Sequence, residues 1–363
     1  MIRDSANTQF VRTMGNVEVS FFVVKKEKTY MKKFKKTAKQ GLDGCNIEIT
    51  LNGMYGEISI KDRPLISLLG TPYGSIKCAN GVAKVSFNFP KFIHEDNVNP
   101  FRPTSELTVR MLKGSLEEQL KGIFGDIELN KLKSIEVNIT QKVCGSQTCE
   151  QVNHVLRLLN ASMLSKRADK QNKLFVNASK DNNHKMCVTG TVSHSVNGRY
   201  VVKCYNKHFH ALREGVTDCK VTEGLLRIEI IMQKRTLVKL FQDKLSISDI
   251  LQIESLIAIM NEYKNIYINE ILNGYVAHCV EASADKIFEE LQKATTAHFI
   301  TETIAKNKEI IYDVEILRKG LKKYYKLKNM PDNSRVIVYK LAKKYGIPTD
   351  VIATLEEFAK SCG

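Results

Sequence analysis

The sequence lacks several features that mark common protein classes. No segment approaches the run of about eighteen apolar residues that a transmembrane helix requires, and MIRDSANTQF, at the start, has no signal-peptide core. A glycine-rich phosphate loop is also missing, which argues against a nucleotide-driven motor. No internal repeat is found at solenoid periods. We therefore expect a soluble protein without a membrane partner.

The cysteine pattern also excludes a class of site. The nine cysteines are scattered, their number is odd, and no CxxC occurs. The closest pair, Cys144 and Cys149, is followed by His154, but a second ligand pair at finger-like spacing is missing. We expect reduced thiols in a cytosol rather than a zinc site.

Positive charge is what the sequence has in excess. Its 43% hydrophobic and 26% charged residues are those of a globular protein, and 363 residues suffice for about two domains. The 55 Lys and Arg residues outnumber the 39 Asp and Glu residues, which leaves a formal charge of +16. Such an excess favours a polyanionic partner. With no membrane signal, nucleic acid is the leading partner class.

Hydrophobic periodicity divides the chain near residue 245. Short alternating runs typical of strands dominate residues 1–245, interrupted by the helical patterns TSELTVRMLKGSLEEQLKGIF and SQTCEQVNHVLRLLNASMLSK. Residues 246–363 have helical periodicity, with start signals at Ser246 or Ser248 and a Gly346–Pro348 stop. The prediction is an α+β domain with a largely antiparallel sheet and its helices packed on one face, followed by an all-α C-terminal domain. The other face of the sheet is expected to carry a site.

A basic segment near the N-terminus permits two interpretations. KKEKTYMKKFKK, residues 25–36, places Tyr30 and Phe34 among lysines that include Lys32 and Lys33. It fits a solvated strand edge, where lysines prevent edge pairing. It fits equally a groove that follows a nucleic-acid backbone and stacks bases on its rings.

The segment VVKCYNKHFHAL, residues 201–212, is the most informative. As a strand, it places Lys203, Tyr205 and Lys207 on one face. Flanking cations are expected to lower the pKa of the phenol and to neutralise charge on an attacked phosphate. The alternative is a surface aromatic among solvated lysines. Tyr200, five residues upstream, is the alternative attacking tyrosine, and the same alternation places it on the opposite face.

From residue 84 onward, six segments occur in the order of one known family: KVSFNFPKFIHEDNVNPF, KSIEVNITQ, EQVNHVLRLLNAS, VVKCYNKHFHAL, GLLRIEIIMQKRTLVKLF and MPDNSRVIVYKLAKKYGIP. Together they resemble the replication initiator endonuclease of filamentous bacteriophages. That enzyme nicks one DNA strand to start rolling-circle replication, and it is related to the rolling-circle initiators of plasmids.

The resemblance implies a metal-dependent nuclease whose tyrosine attacks the scissile phosphate and leaves a 5′-phosphotyrosyl link and a free 3′-hydroxyl. Tyr205 matches the nucleophile, and Lys207 is expected to hold the phosphate or assist the leaving group. Glu229 follows Arg227 by two residues on an alternating strand, so both face one side, and Glu229 is expected to ligate Mg²⁺ or Mn²⁺. An exposed pair on a sheet face is the plainer alternative for Arg227 and Glu229.

The chain departs from the family pattern at three expected metal ligands. Asn138 stands where the family has Asp, Asp96 where it has the His of His-Asn-Val, and His210 where a Glu follows the tyrosine. Mg²⁺ prefers carboxylates, whereas imidazole favours Mn²⁺. The ligand set predicted from the resemblance is therefore Glu229, Asp96, Asn138 and His210, with His208 a weaker candidate.

The remaining expectations concern partners. DNA, single-stranded or as an origin duplex, is the expected substrate, with a host helicase and polymerase as further partners in a bacterial cytoplasm. A non-catalytic origin-binding protein of the same fold is the alternative. The nucleic-acid contacts predicted are Lys91, Lys203, Arg227, Lys32 and Lys33, and the helical C-terminal domain, residues 246–363, is a further candidate DNA-binding region.

Overall fold

The computed structural model describes residues 9–13, 18–22, 37–51, 59–94, 100–125, 132–144, 149–165, 179–180, 186–187, 192–207, 225–242, 245–294 and 298–360. The chain forms two compact units, Met1–Lys35 and Lys36–Gly363. In the first unit, β1 (Gln9–Thr13) pairs with β2 (Glu18–Phe22) as an antiparallel hairpin. The predicted contacts Lys32 and Lys33 lie outside the described residues.

An eight-stranded sheet forms the centre of the second unit. Its strands in chain order are β3 (Thr37–Thr50), β4 (Ile60–Ile66), β5 (Pro72–Ala79), β6 (Val82–Asn88), β7 (Leu132–Cys144), then, after the small pair β8 (Ser179–Lys180) and β9 (Met186–Cys187), β10 (Val192–Val196), β11 (Tyr200–Asn206) and β12 (Leu226–Met232). Their order across the sheet is β10-β11-β12-β7-β3-β6-β5-β4, and every neighbouring pair is antiparallel.

Helices lie between the strands and make up the C-terminal region. They are α1 (Phe89–Ile93), α2 (Glu106–Phe124), α3 (Cys149–Ser165), α4 (Lys234–Phe241), α5 (Ile247–Ile250), α6 (Ile253–Asn265), a π-helix (Ile266–Val276), α7 (Ala277–Lys293), α8 (Phe299–Asn307), a 3₁₀ turn (Lys308–Ile310), α9 (Val314–Leu327), α10 (Ser334–Tyr345) and α11 (Val351–Lys360). In the described part of the chain, no helix is both long and apolar enough to cross a bilayer.

The two faces of the sheet differ in chemistry, as β12 shows. Leu226, Ile228, Ile230 and Met232 are fully buried in the main hydrophobic core, together with side chains of α2, α3 and the C-terminal helices. The alternate residues of β12 point to the other face, where the polar cluster described below lies. The predicted α+β class, with helices on one face and a helical C-terminal region, is confirmed.

Helix α2 shows why the local sequence forms these elements. Ser105 accepts a hydrogen bond from the amide of Thr108 and caps the helix. The buried apolar residues recur every three or four positions and form one stripe: Val109, Leu112, Leu116, Leu120 and Phe124. Each such side chain contributes about 1.5–3 kcal/mol when it leaves water, so the stripe drives the helix onto the sheet.

The C-terminal helices are joined to the sheet by polar contacts as well as by the core. The Gln40 side chain donates to the Met260 carbonyl at 3.0 Å, and the Tyr263 hydroxyl donates to the Ile228 carbonyl at 3.2 Å. The predicted helix start at Ser246 is confirmed by a capping box with Asp249. A division into domains at residue 245 stays a prediction, because residues 36–363 cluster as one unit.

Strand β3 begins earlier than the alternation of CNIEITLNG predicts. Its first half, TAKQGLDG, has two glycines and an aspartate, residues that strands disfavour. Pairing with the long strand β7 along most of its length overrides this preference. Strand β5 and helix α4 were likewise not predicted from the sequence.

Candidate active site on the polar face of the sheet

Tyr205, Arg227, Glu229 and Asp43 meet in a buried polar cluster on the face away from the main core. The strand register places Tyr205 opposite Arg227 and Lys203 opposite Glu229. The Tyr205 hydroxyl donates a short hydrogen bond to Glu229 Oε1, and Arg227 Nη1 donates to the same hydroxyl at 3.3 Å. The cluster is therefore built around the phenolic oxygen that the sequence singled out.

Arg227 lies between two carboxylates. Its Nη1 is 3.7 Å from Asp43 Oδ2 and 3.7 Å from Glu229 Oε1. The arginine is 0% exposed and the carboxylates are nearly as buried. Removing one partner of a buried ion pair typically costs about 3–5 kcal/mol, because the other charge is left uncompensated. Because Arg227 and Glu229 are both buried, the alternative of an exposed pair on a sheet face is wrong.

Asp43 reaches this cluster because of a β-bulge. The pairing of β3 with β7 shifts between Leu42 and Gly44, so that Asp43 has no partner across the ladder. The Asn88 amide donates to Asp43 Oδ1 at 3.2 Å and holds the carboxylate in place. Sequence reasoning missed Asp43 and Asn88. The only local signal was an aspartate next to Gly44 in a strand, which often marks a bulge.

Burial raises the pKa values of two groups in the cluster, Asp43 and Tyr205. Burial raises the pKa of Asp43 above its ordinary value; the Arg227 charge opposes this effect and the Glu229 charge adds to it. Burial, followed by the charge of Glu229, also raises the pKa of Tyr205, against the opposing effect of Arg227. The expectation that flanking lysines lower the pKa of this phenol is wrong. In the resting cluster, the phenol holds its proton.

The predicted cations have different environments. Lys207 is buried beside the cluster, and its charge acts on Asp43. Lys203 is half-buried and pairs in register with Glu229. Lys91 lies in the short helix α1, which is capped by Asn88, the residue that also holds Asp43. Of these three lysines, Lys207 is the buried one whose charge acts on the cluster.

Several predicted ligands cannot be placed. Asp96, His210 and His208 lie outside the described residues. Only the strand position of Asn138 is described: it pairs with Ile231 of β12 and Gly44 of β3. Asn138 thus lies one strand away from both Glu229 and the Asp43 bulge.

The cluster contains two carboxylates, the donor type that hard divalent cations prefer. Within the described ranges, no group of three His, Cys, Asp or Glu side chains is arranged to hold a metal ion. Asp43 and Glu229 nevertheless supply two buried carboxylates, and Arg227 Nη1 lies 3.7 Å from one oxygen of each. Carboxylate oxygens are the ligands that Mg²⁺ and Mn²⁺ prefer. Asp43 therefore joins Glu229 as a candidate ligand.

Tyr200, the alternative nucleophile, has a different environment. It is fully buried within the main core, and its hydroxyl donates to Glu270 Oε2 of the π-helix at 2.6 Å. Arg199 donates to both oxygens of the same carboxylate. As the alternation predicted, Tyr200 is on the face opposite Tyr205, where it connects the sheet to the C-terminal helices.

A scan against protein-family models and a search of curated proteins find nothing that matches the chain.

Proposed function

We propose that the chain nicks and rejoins one DNA strand through a covalent tyrosyl intermediate and initiates rolling-circle replication. The observation that carries this proposal is the contact of the Tyr205 hydroxyl with Glu229 and Arg227 in one buried cluster. A hydroxyl nucleophile beside a carboxylate base, oriented by a further charged group, is the arrangement that covalent catalysis needs. The sequence resemblance supplies the same role for Tyr205 independently of this geometry.

The proposed step begins at the Tyr205–Glu229 hydrogen bond. Glu229 takes the phenolic proton while the Tyr205 oxygen attacks the scissile phosphorus. The bond from phosphorus to the 3′-oxygen breaks, and the 3′-oxygen leaves as a hydroxyl after taking a proton from Lys207. Arg227 and Lys207 stabilise charge on the phosphate. Reversal of the step, with a 3′-hydroxyl as nucleophile, rejoins the strand.

A divalent cation would be held by Asp43 and Glu229, with Asp96, Asn138 and His210 as further candidates. When bound, Mg²⁺ or Mn²⁺ supplies a Lewis acid that polarises a phosphate oxygen. Arg227 supplies positive charge to the same two carboxylates in the apo cluster. A bound ion would therefore compete with Arg227 for these two carboxylates.

The cellular setting follows from the same proposal. The excess of 55 Lys and Arg residues over 39 Asp and Glu residues favours a polyanion such as DNA. Lys91 and Lys203, with Lys32 and Lys33, are proposed to hold the DNA strand electrostatically. The chain would act in the cytoplasm of a bacterial host, where the host helicase would unwind the duplex and the host polymerase would extend the free 3′-end.

The burial of Tyr205 favours a second candidate, an origin-binding protein that does not cut. The side chain is only 7% exposed and its hydroxyl is fully engaged with Glu229 and Arg227. Cutting requires the cluster to open when DNA enters, whereas a purely structural cluster stays closed.

A labelled-adduct experiment tests the proposal. Single-stranded DNA from the replicon that encodes the chain is labelled at its 3′-end and incubated with the full chain and Mn²⁺. We expect a protein–DNA adduct that survives denaturation. The same strand labelled at its 5′-end should yield no labelled adduct, because the protein is joined to the 5′-phosphate of the downstream fragment.

Two matched variants complete this experiment. Tyr205→Phe should abolish the adduct, whereas Tyr200→Phe should retain it. An adduct that persists in Tyr205→Phe contradicts the assignment of the nucleophile. DNA binding without any adduct, with either metal, identifies the non-cutting candidate instead.

A further inference from the structure

The second feature of this molecule that fits nucleic acid is helix α10, far along the chain from the Tyr205 cluster. Its sequence, SRVIVYKLAKKY, has four cations and no acidic residue. Ser334, Val338 and Ala342 form its buried side. The opposite side is exposed along its length and consists of Arg335, Val336, Tyr339, Lys340, Lys343 and Lys344.

The composition of this exposed face is unusual for a solvated helix. Val336 is 62% exposed and Tyr339 is 49% exposed, so an aliphatic and an aromatic side chain face solvent between cations. In the described part of the chain, no ion pair neutralises Arg335, Lys340 or Lys343. By contrast, Lys319 and Lys323 of α9 are paired with Glu281 and Asp285 of α7. The exposed face of α10 therefore carries a net positive charge.

The helices before and after α10 in the chain are joined to each other and to the π-helix. Buried Asp313 caps α9 through the amide of Glu315, and it also accepts from the amides of Val351 and Ile352 at the start of α11. The Tyr267 hydroxyl donates to the Leu355 carbonyl and joins α11 to the π-helix. Gly346, with a left-handed φ of 62°, ends α10 cleanly. Contacts of this kind preorganise the helices around α10, and preorganisation lowers the entropy cost of binding.

We propose that α10 enters the major groove of duplex DNA. From Arg335 to Lys343 the helix extends for about 12 Å, and the major groove, about 12 Å wide, admits an α-helix. Arg335, Lys340 and Lys343 contact phosphates, while Val336 and Tyr339 reach base edges such as the thymine methyl group.

Positive charge continues beyond the C-terminal end of α10. A cavity of about 490 Å³ is lined there by Gly346 and Pro348 together with Arg157, Lys306 and Lys308, against a single acid, Glu309. Cations at this end extend the surface that a DNA backbone can follow.

This inference rests on the proposed DNA function but not on cutting, and binding measurements separate the two. The full chain is titrated with a fluorescent 30-base-pair DNA duplex of mixed sequence at several salt concentrations. The variant R335A/K340A/K343A should bind about tenfold or more weakly. The slope of log binding constant against log salt concentration should become less steep by about 2.7, which is about 0.9 for each lost phosphate contact. The control K121A/K264A/K286A removes three exposed lysines from helices that also carry acidic residues and should bind like wild type.

Two further probes distinguish groove insertion from charge alone. V336A/Y339A should weaken binding with an unchanged salt slope. A DNA duplex whose cytosines carry glucosylated hydroxymethyl groups, which fill the major groove, should bind at least about tenfold more weakly than the plain duplex. An RNA duplex should also bind poorly, because its major groove is too narrow for a helix.

The outcomes separate cleanly. Wild-type affinity in the triple variant, equal loss in the control variant, or equal binding of the RNA or glucosylated duplex overturns the proposal. The triple variant should still form the Tyr205 adduct with single-stranded DNA. An adduct that fails in wild type while α10 variants lose duplex binding removes the cutting function and leaves the helix assignment standing.

Discussion

At the scale of single residues, the candidate site is a balance of buried charges. Arg227 compensates Asp43 and Glu229, and the three side chains come from only two strands, β3 and β12. The Tyr205 phenol donates into this set and keeps its proton because burial and the Glu229 charge raise its pKa. The phenol is thus stable in its protonated form, and the proposed reaction would need a base, rather than a pre-ionised tyrosine, to begin.

Asp43→Asn tests this balance through the pH dependence of stability. Because the folded-state pKa of Asp43 is raised, the folded chain keeps a proton that the unfolded chain has already released above pH 4 or so. The free energy of unfolding of wild type, minus that of the variant, should therefore decrease as pH rises from about 4. The decrease should be at most about 1.4 kcal/mol per pH unit. Urea unfolding of both chains from pH 4 to 7 measures this difference. A difference that is constant, or that grows in favour of wild type, contradicts the assignment.

At the scale of elements, strand β3 positions the site because its backbone passes close to a neighbouring segment. Leu42 exchanges backbone hydrogen bonds with Phe101, at 2.8 and 2.9 Å. A Cβ on Gly41 would meet the Pro100 side chain at 2.9 Å and come closer still to the Phe101 carbonyl oxygen. Gly41 is therefore required for the close approach that precedes the Asp43 bulge.

Gly41→Ala should destabilise the chain by about 1–3 kcal/mol, because the new methyl group overpacks a backbone contact. Gly114→Ala is the matched control: it lies in α2 with nothing within 4 Å of the added Cβ. That helical substitution should stabilise by about 0.5–1 kcal/mol. Urea unfolding midpoints measure both. Equal effects at the two positions would mean that the Phe101 crossing imposes no constraint on β3.

At the scale of the whole molecule, specific contacts join the sheet to the C-terminal helices within the unit Lys36–Gly363. The Glu270 carboxylate of the π-helix accepts hydrogen bonds from Arg199 and from the buried Tyr200 hydroxyl. π-Helices are rare, and short π-helical segments frequently occur at functional sites. Here the π-helical segment presents Glu270 to the β10–β11 turn.

A double-mutant cycle tests this link. Glu270→Ala should cost about 1–3 kcal/mol, because it leaves the buried Tyr200 hydroxyl without its acceptor. In the Tyr200→Phe background the same substitution should cost less, with a coupling energy of about 0.5–3 kcal/mol. Glu290→Ala, which removes an exposed pair with Lys293, should change stability by less than about 0.5 kcal/mol. Strict additivity of Glu270→Ala and Tyr200→Phe would show that the link contributes nothing.

The sequence by itself determined the features that adjacent residues encode. The alternation of β11 and β12 placed Tyr205 apart from Tyr200 and put Arg227 beside Glu229, and the apolar spacing of α2 predicted the covered face of the sheet. Only the tertiary structure decided that Asp43 joins Arg227, that the phenol is buried, and that the exposed face of α10 is left unneutralised. The physical reason is that register, bulges and burial depend on pairing between strands and helices far apart in the chain, which local periodicity does not record.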